Sequence, residues 1–474
     1  MGWGRVWIGH ASLSVAVLMG CATATCQTGA NPHLPGPMPG LLRAAADGQA
    51  DAGAAKYVGP GSCGASACHG NIRPLSKTKV WQNEYSTWVT SDKHAHAYRA
   101  LQEPLGKQIG QILKLPEPPE SSQRCLVCHA VSVPPAAHAR DFDIAEGVSC
   151  ESCHGPASLW LEPHIEPTAK HLDLVEKLHL YDNKNLEKRA ERCLYCHLGA
   201  PGAIVDHELI AAGHPDLTFE LDSFSASEPP HWADKNADGS PADALFGVRV
   251  WSVGQAVALK QSMLRVADHA KAGPWPEFSE MDCVTCHHSL TGPQSWRQQS
   301  AAKMRVASDP SYAGRIYGQP PYNLSRYVLF KHFAAELNPG LNEDLSKASD
   351  VVKQKVTSMS PNRAEVETAA NHAAELAGQL IADARDASYD GERTKRLLRA
   401  ITGDADAIAF DGERTAEQAT MTVNSLYIAA AKADGPDPAT RQAIDGLFKL
   451  VNNQSSYDAR QFAEQLRAVR STLR

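Results

Sequence analysis

The chain of 474 residues is poor in aromatic side chains, which make up 7% of it, and it has no excess of positive charge. Its formal net charge is −7, from 46 Lys and Arg against 53 Asp and Glu. Proteins that bind nucleic acid need clustered cations to neutralise phosphates, so this balance argues against a nucleic-acid partner. The hydrophobic content of 43% is that of an ordinary soluble protein, and the length indicates two or three folding units.

The segment that carries the cysteines is also poor in methionine and in strand-like patterns, and the C-terminal part of the chain has no cysteine. Between residues 56 and 300 only Met263 and Met281 occur, and no cysteine follows Cys286. The same segment is rich in turn-forming residues, with short helical stretches and no convincing run of strands. We therefore expect a mainly α fold with extensive irregular structure.

Ten of the 12 cysteines form five pairs, and a histidine directly follows every pair. Four pairs have the spacing C-x-x-C-H, and the first has four residues between its thiols. The paired cysteines are Cys63 and Cys68, Cys125 and Cys128, Cys150 and Cys153, Cys193 and Cys196, and Cys283 and Cys286. The histidines that follow them are His69, His129, His154, His197 and His287.

This pattern is the attachment signature of c-type haem. The two thiols add across the haem vinyl groups, and the histidine binds the iron through a neutral imidazole nitrogen. The sequence therefore predicts five covalently bound haem c groups. Such groups supply flat apolar surface and cross-link the chain, which lowers the need for an aromatic core.

Three other uses of paired cysteines compete with haem attachment. Cys128 and Cys150 are separated almost as in a zinc ribbon, but zinc gives no reason for a histidine after every pair. A disulfide framework, plausible in an exported chain, also leaves the histidines unexplained. A thioredoxin-like pair would need one C-x-x-C beside a βαβ unit rather than five.

The second axial ligand of each iron sets its redox behaviour: methionine raises the potential, and a second histidine keeps it lower. The chain has 20 histidines, and 11 of those outside the motifs lie between residues 56 and 300. Because methionine is scarce there, we expect mostly bis-histidine iron.

The candidates for the second ligand follow from local sequence. His94, on a predicted helix close to the first motif, is the first choice, and the alternative His96 would point elsewhere. His164 follows the third motif at a distance suited to looping back over a neighbouring ring, and His214 lies in a tight Gly-His-Pro turn. The weaker candidates are His207, His231, His138 and His288, followed by His332 and His372.

The chain outside the motifs divides into three parts. Residues 1–26 have an n-region arginine, a short apolar run and an A-x-A-like site, which predict an export signal. Leu18-Met-Gly-Cys21 also resembles a lipobox, which would place a lipid on Cys21. Residues 27–55 read as a Pro- and Gly-rich linker, 56–300 hold every motif, and 301–474 predict a helical bundle from apolar residues at helical spacing.

The motif segment resembles the multihaem cytochromes of the cytochrome c-554 family. The resemblance lies in Gly147 to Pro156 around the third motif, in Ser91 to Ala95, and in the Gly213 to Pro215 turn. It implies periplasmic electron transfer, closely stacked haems, mostly bis-histidine iron, and one haem that lacks a sixth ligand. The fifth motif and the long C-terminal extension depart from the family's tetrahaem pattern.

These observations predict an exported cytochrome that relays single electrons, with redox proteins as partners and with membrane association through a lipidated Cys21 or a membrane complex. The alternative is an oxidoreductase that acts on a small nitrogen or sulfur compound at one five-coordinate haem. No Cys-Lys variant of the motif occurs, which removes one marker of catalytic multihaem reductases.

The first prediction concerns stoichiometry. The intact mass of the denatured protein should exceed that of the processed polypeptide by five haem increments, because thioether bonds survive denaturation. Four increments would show that Cys63 and Cys68 do not attach a haem.

Overall fold

A computed structural model describes residues 55–76, 80–235, 242–283, 286–287, 321–452 and 456–473. Within them it has 18 α-helices, several short 3-10 helices, three isolated β-bridges and no strand. The expected mainly α fold with extensive loops is confirmed. The predicted export signal, most of the linker (all but its last residue) and His288 lie outside the described residues.

The first nine helices are short and are separated by loops. They are α1 (Glu84–Ser91), α2 (Ala97–Gln102), α3 (Pro104–Ile112), α4 (Gln123–His129), α5 (Cys150–His154), α6 (His171–Leu178), α7 (Leu186–His197), α8 (His207–Ala211) and α9 (Leu221–Ser227). The 3-10 helices are Pro60–Cys63, Lys93–His96, Pro119–Ser121, Pro135–Ala137, Ile144–Glu146, Ala157–Leu159, Pro163–Ile165 and Phe278–Glu280.

The other nine helices are mostly longer. They are α10 (Phe246–Lys271), α11 (Ser325–Leu337), α12 (Pro339–Val356), α13 (Arg363–Asp386), α14 (Gly391–Gly403), α15 (Ala405–Asp411), α16 (Glu413–Asp434), α17 (Pro438–Val451) and α18 (Ala459–Thr472). No helix in the described part of the chain is long and apolar enough to span a membrane.

Local sequence sets the helix ends that carry the motifs. The side chain of Asn185 caps α7 by accepting hydrogen bonds from the backbone amides of Glu187 and Lys188. Helix α5 stops at Gly155, whose φ of 80° favours glycine. Three motif histidines, His129, His154 and His197, therefore lie in the last turns of helices.

The long helices enclose a large apolar core built around α10. This 26-residue helix is buried on most of its surface and packs chiefly against α13. At its centre, Trp251 is fully buried and donates a hydrogen bond from Nε1 to Thr422 Oγ1 at 3.0 Å. A helix that is apolar on nearly every side must lie inside a bundle.

The helices predicted from apolar spacing are present at the C-terminus. Their core-facing residues are buried, as Val366 and Leu380 are in α13 and Phe462 and Leu466 are in α18. The same core includes α10, which precedes residue 300, so the long helices on both sides of that position pack together. The domain boundary at 300 stays a prediction.

The second prediction tests this core. Phe333 is fully buried, and its ring centre lies 5.7 Å from that of Trp251. Phe333→Ala should lower the free energy of unfolding by about 3–5 kcal/mol, because it leaves a cavity. Urea unfolding followed by circular dichroism measures the change. The control Met359→Ala, at a side chain that is 88% exposed, should change it by less than about 0.5 kcal/mol.

Candidate haem-binding site

Helical geometry brings the two thiols and the histidine of each C-x-x-C-H motif to one side of the chain. Residues three and four positions apart are neighbours on a helix surface, so the second cysteine and the histidine follow the first cysteine around one turn. The second and fourth motifs end helices α4 and α7, and the third forms the whole of α5. In the fifth motif, the amide of His287 donates to the carbonyl of Cys283 at 2.8 Å, which closes a similar turn.

The wider first motif reaches a related arrangement through a loop. Cys63 ends a 3-10 helix, and the amide of His69 donates to the Cys63 carbonyl at 3.2 Å. A Cβ at Gly70 would lie 1.9 Å from the carbonyl oxygen of Gly64, so this close crossing requires glycine. The additional residues are accommodated in the loop, and His69 remains beside its cysteines.

Four of the five motif histidines face a second histidine from a distant part of the sequence. The distances between ring centres are 6.3 Å for His69 and His164, 6.4 Å for His129 and His214, 6.0 Å for His197 and His94, and 6.1 Å for His287 and His207. Rings this far apart are not in direct contact.

The spacing fits one metal ion between each pair of rings. A metal–imidazole bond is about 2 Å long, and the nitrogen lies about 1 Å from its ring centre, so two imidazoles on opposite sides of an iron have centres about 6 Å apart. The residues present therefore fit haem iron held from both sides, at four of the five motifs.

Hydrogen bonds at Nδ1 leave Nε2 available in five of the eight paired rings. Nδ1 of His69 donates to Glu84 at 2.8 Å, and Nδ1 of His94 donates to Asp92 at 3.0 Å. Nδ1 of His129 and His214 donate to backbone carbonyls, each at 2.8 Å, and His164 does the same to Leu161. Such outer bonds fix the tautomer and the ring orientation of metal-binding histidines.

Comparison with known protein families also indicates c-type haem attachment for part of the chain. Residues 63–155, which include the first three motifs, match the family described as cytochrome c554 and c-prime. This part of the chain is therefore similar to a family of c-type cytochromes. Haem c is the cofactor that the family implies. Neither the curated proteins nor the solved structures gave a significant match.

Burial keeps several of the cytochrome's candidate ligands in the neutral form that binds metal. Desolvation, helped by neighbouring cationic histidines, lowers the pKa of both His154 and His197 to about 4. It also lowers the pKa of His214. At neutral pH these three imidazoles carry no proton that would have to leave before binding.

His94 lies in the most polar of the four pairs. The hydrogen bond to Asp92 raises the pKa of His94, and the more distant Glu228 carboxylate adds to the effect. Asp92, Glu228 and His94 lie close enough to hold a cation by themselves. Because His94 faces His197, the carboxylates are better explained as groups that orient the ring and make it more basic.

Other histidines have their Nε2 atoms engaged. Nε2 of His138 donates to the carbonyl of Val133 at 2.9 Å, and its ring stacks on Phe142. Nε2 of His332 lies 3.1 Å from Asp404. His96 is exposed, and neither it nor His372 faces a motif histidine in the described residues. Orientation therefore separates these candidates from the paired ones.

The third motif differs from the others. No ring stands opposite His154 at the spacing of the four pairs in the described residues. Among the histidines, His231 has the largest influence on the pKa of His154, and its Nδ1 donates to the carbonyl of Pro229, which leaves Nε2 free. The second position at this motif is therefore unassigned, with His231 as its candidate ligand.

The motifs also approach one another in two couples. The Cys63 thiol lies beside that of Cys150, and the Cys128 thiol lies beside that of Cys196. In each couple the neighbouring thiol, followed by burial, raises the pKa of Cys150 or Cys196. The first motif therefore adjoins the third, and the second adjoins the fourth.

The sequence analysis placed His207 among the weaker candidates, whereas in the structure it faces the motif histidine His287. The sequence also did not show which second ligand belongs to which motif. His94 follows the first motif in sequence but faces the histidine of the fourth, while His164 follows the third motif and faces the first. For His207 the sequence signal was the supply of histidines in the motif segment. The predicted ligand set itself stays a prediction.

The third prediction uses His94 and its neighbour. His94→Ala should convert one haem from low-spin to high-spin, because the iron opposite His197 loses one of its two nitrogens. Visible absorption and EPR spectra of the oxidised protein measure the spin state. The matched variant His96→Ala removes an exposed ring two residues away and should leave the spectra unchanged. An effect of His96→Ala without one of His94→Ala would reverse the assignment.

Proposed function

We propose that this c-type cytochrome is an exported protein that relays single electrons through five haem c groups, four of them held between two histidines. The observation that supports this most directly is the set of four histidine pairs with ring centres 6.0–6.4 Å apart. Haem iron, when bound, supplies one-electron chemistry by changing between its ferric and ferrous states.

Paired histidines favour relay over catalysis. A second imidazole fixed by its own hydrogen bond occupies the position that a substrate would need at the metal. Asp92 holds one such ring, that of His94, by a side-chain bond, and the carbonyls of Leu161 and Pro215 hold those of His164 and His214. Little ligand movement is then required on electron transfer, because the chain already holds both nitrogens in place.

The arrangement of the motifs supports a route for electrons. The first motif adjoins the third and the second adjoins the fourth, so cofactors at these positions would be neighbours within each of these two couples. The fifth motif joins the remainder through His207, which starts α8. We infer that the protein serves to hold the groups close together and away from water.

Export and partners belong to the same proposal. Haem attachment to C-x-x-C-H takes place outside the bacterial cytoplasm, which agrees with the signal predicted in residues 1–26. With five haems, their propionates would add to the net charge of −7 and favour a redox protein with a basic docking face. A lipid on Cys21 would attach the cytochrome to a membrane surface.

The third motif favours a second candidate function. Since no ring in the described part of the chain is paired with His154 at the spacing of the others, an iron there could be five-coordinate and accept a small molecule. Arg192, whose guanidinium lies over the ring of Tyr181, is near enough to lower the pKa of His154. The cytochrome would then be an oxidoreductase for a small nitrogen or sulfur compound.

The fourth prediction separates these functions. Carbon monoxide added to the reduced protein should bind at most about one haem in five, because paired histidines close the other four. Difference absorption spectra measure the bound fraction. Binding at two or more haems would contradict the histidine pairs. Binding at one haem, with turnover of hydroxylamine or nitric oxide that His154→Ala abolishes, would make catalysis the main function.

A further inference from the structure

A small cavity lies between the fourth and fifth motifs. Leu198, which directly follows His197, borders it on one side, and Glu280, which precedes Cys283 by three positions, borders it on another. It leaves about 40 Å³ for the centres of water-sized molecules. One water needs about 10–15 Å³ by this measure, so the space suits three or four non-hydrogen atoms.

The charged residues around the cavity are three arginines and two carboxylates. Arg265 binds Glu280 through two hydrogen bonds, at 2.7 and 2.9 Å, and Arg414 pairs with Asp216. Each carboxylate therefore has a guanidinium of its own. Arg326 is the third arginine, and no carboxylate of the described residues lies within salt-bridge distance of it.

Arg326 is 6% exposed, and its two hydrogen bonds both come from Nη1. They go to the carbonyl of Phe219 and to Oε1 of Gln418. Its Nε and Nη2 have no acceptor among the described residues, although the side chain lines the cavity. A buried cation with free donors is costly unless an anion completes its hydrogen bonds.

A second hydrogen-bond donor, the hydroxyl of Tyr322, belongs to a residue that also lines the cavity. The hydroxyl of Tyr322, a residue that is 3% exposed, has only the sulfur of Met263 as a partner, at 3.9 Å. Sulfur is a weak acceptor, so this O–H can serve a better one. Burial raises the pKa of Tyr322, which keeps the hydroxyl protonated as a donor.

The carboxylates just beyond the lining already have partners. Glu220 accepts from the amides of Asp222 and Ser223 and from Ser425. Glu417 accepts from the hydroxyl of Thr218. These groups moderate the positive field around Arg326, but none of them fills the cavity.

We propose that this cavity binds a small singly charged oxyanion or carboxylate group, held by the guanidinium of Arg326 and the hydroxyl of Tyr322. A guanidinium presents parallel donors that match two oxygens on one centre, and a group of three or four atoms fits the space. The group is either a free anion such as formate or the carboxylate end of a haem propionate from the fourth or fifth motif. The second source rests on the proposed function.

Formate is the probe for a free anion. Calorimetric titration of the haem-loaded protein should show formate binding that Arg326→Gln weakens at least tenfold and Arg326→Lys weakens less. Tyr322→Phe removes one hydroxyl, should weaken binding several-fold, and keeps the test usable if Arg326→Gln does not fold. Arg460→Gln, at an exposed arginine of α18, is the control and should bind as the parent does. Benzoate, which is too large, should not bind.

A propionate would give a different result. The parent would then bind no formate at this position, and Arg326→Gln would lower the midpoint potential of one haem, since a cation beside a propionate favours the reduced iron. Intact mass reports haem content separately, so a failure of haem attachment is not confused with loss of the anion. The inference is wrong if formate binds equally to the parent and Arg326→Gln, or if neither formate binding nor any potential depends on Arg326.

Discussion

The structure depends on the constraint that one metal ion places on two imidazoles from distant parts of the chain. Their ring centres must lie about 6 Å apart, and a free nitrogen of each must face the gap. Four motif histidines meet the distance condition with His164, His214, His94 and His207. Each pair closes a long loop, so short helices with small apolar clusters can hold a defined arrangement without a sheet or a large core of their own.

The long helices provide the large apolar core that the short helices of the first part lack. Their core is continuous from Leu186 in α7 to Val469 in α18, and α7 also carries the fourth motif. The fourth motif is therefore anchored to the most extensive packing in the protein. Arg326 also links α11 to the fourth motif. Its side chain donates to the carbonyl of Phe219, and the Phe219 ring stacks on His197.

The sequence allowed prediction of features set by local chemistry. Thioether attachment dictates the C-x-x-C-H spacing, and helical periodicity marked residues such as Val366 and Leu380. Pairing was not predictable, because tertiary packing decides which rings meet. His138 looked equivalent to His207 in sequence, yet its Nε2 is bonded to a carbonyl. The cavity beside Arg326 joins parts of the chain that no local pattern relates.

The most direct test of the histidine pairs is the EPR spectrum of the fully oxidised protein. Ring planes cross at 82° and 84° in the His94–His197 and His129–His214 pairs, and at 13° and 33° in the His69–His164 and His207–His287 pairs. Nearly perpendicular imidazoles give a strongly anisotropic low-spin signal, and nearly parallel ones give a rhombic signal. We expect two low-spin haems of each kind. A spectrum dominated by high-spin iron, or low-spin signals of one kind only, would contradict the account.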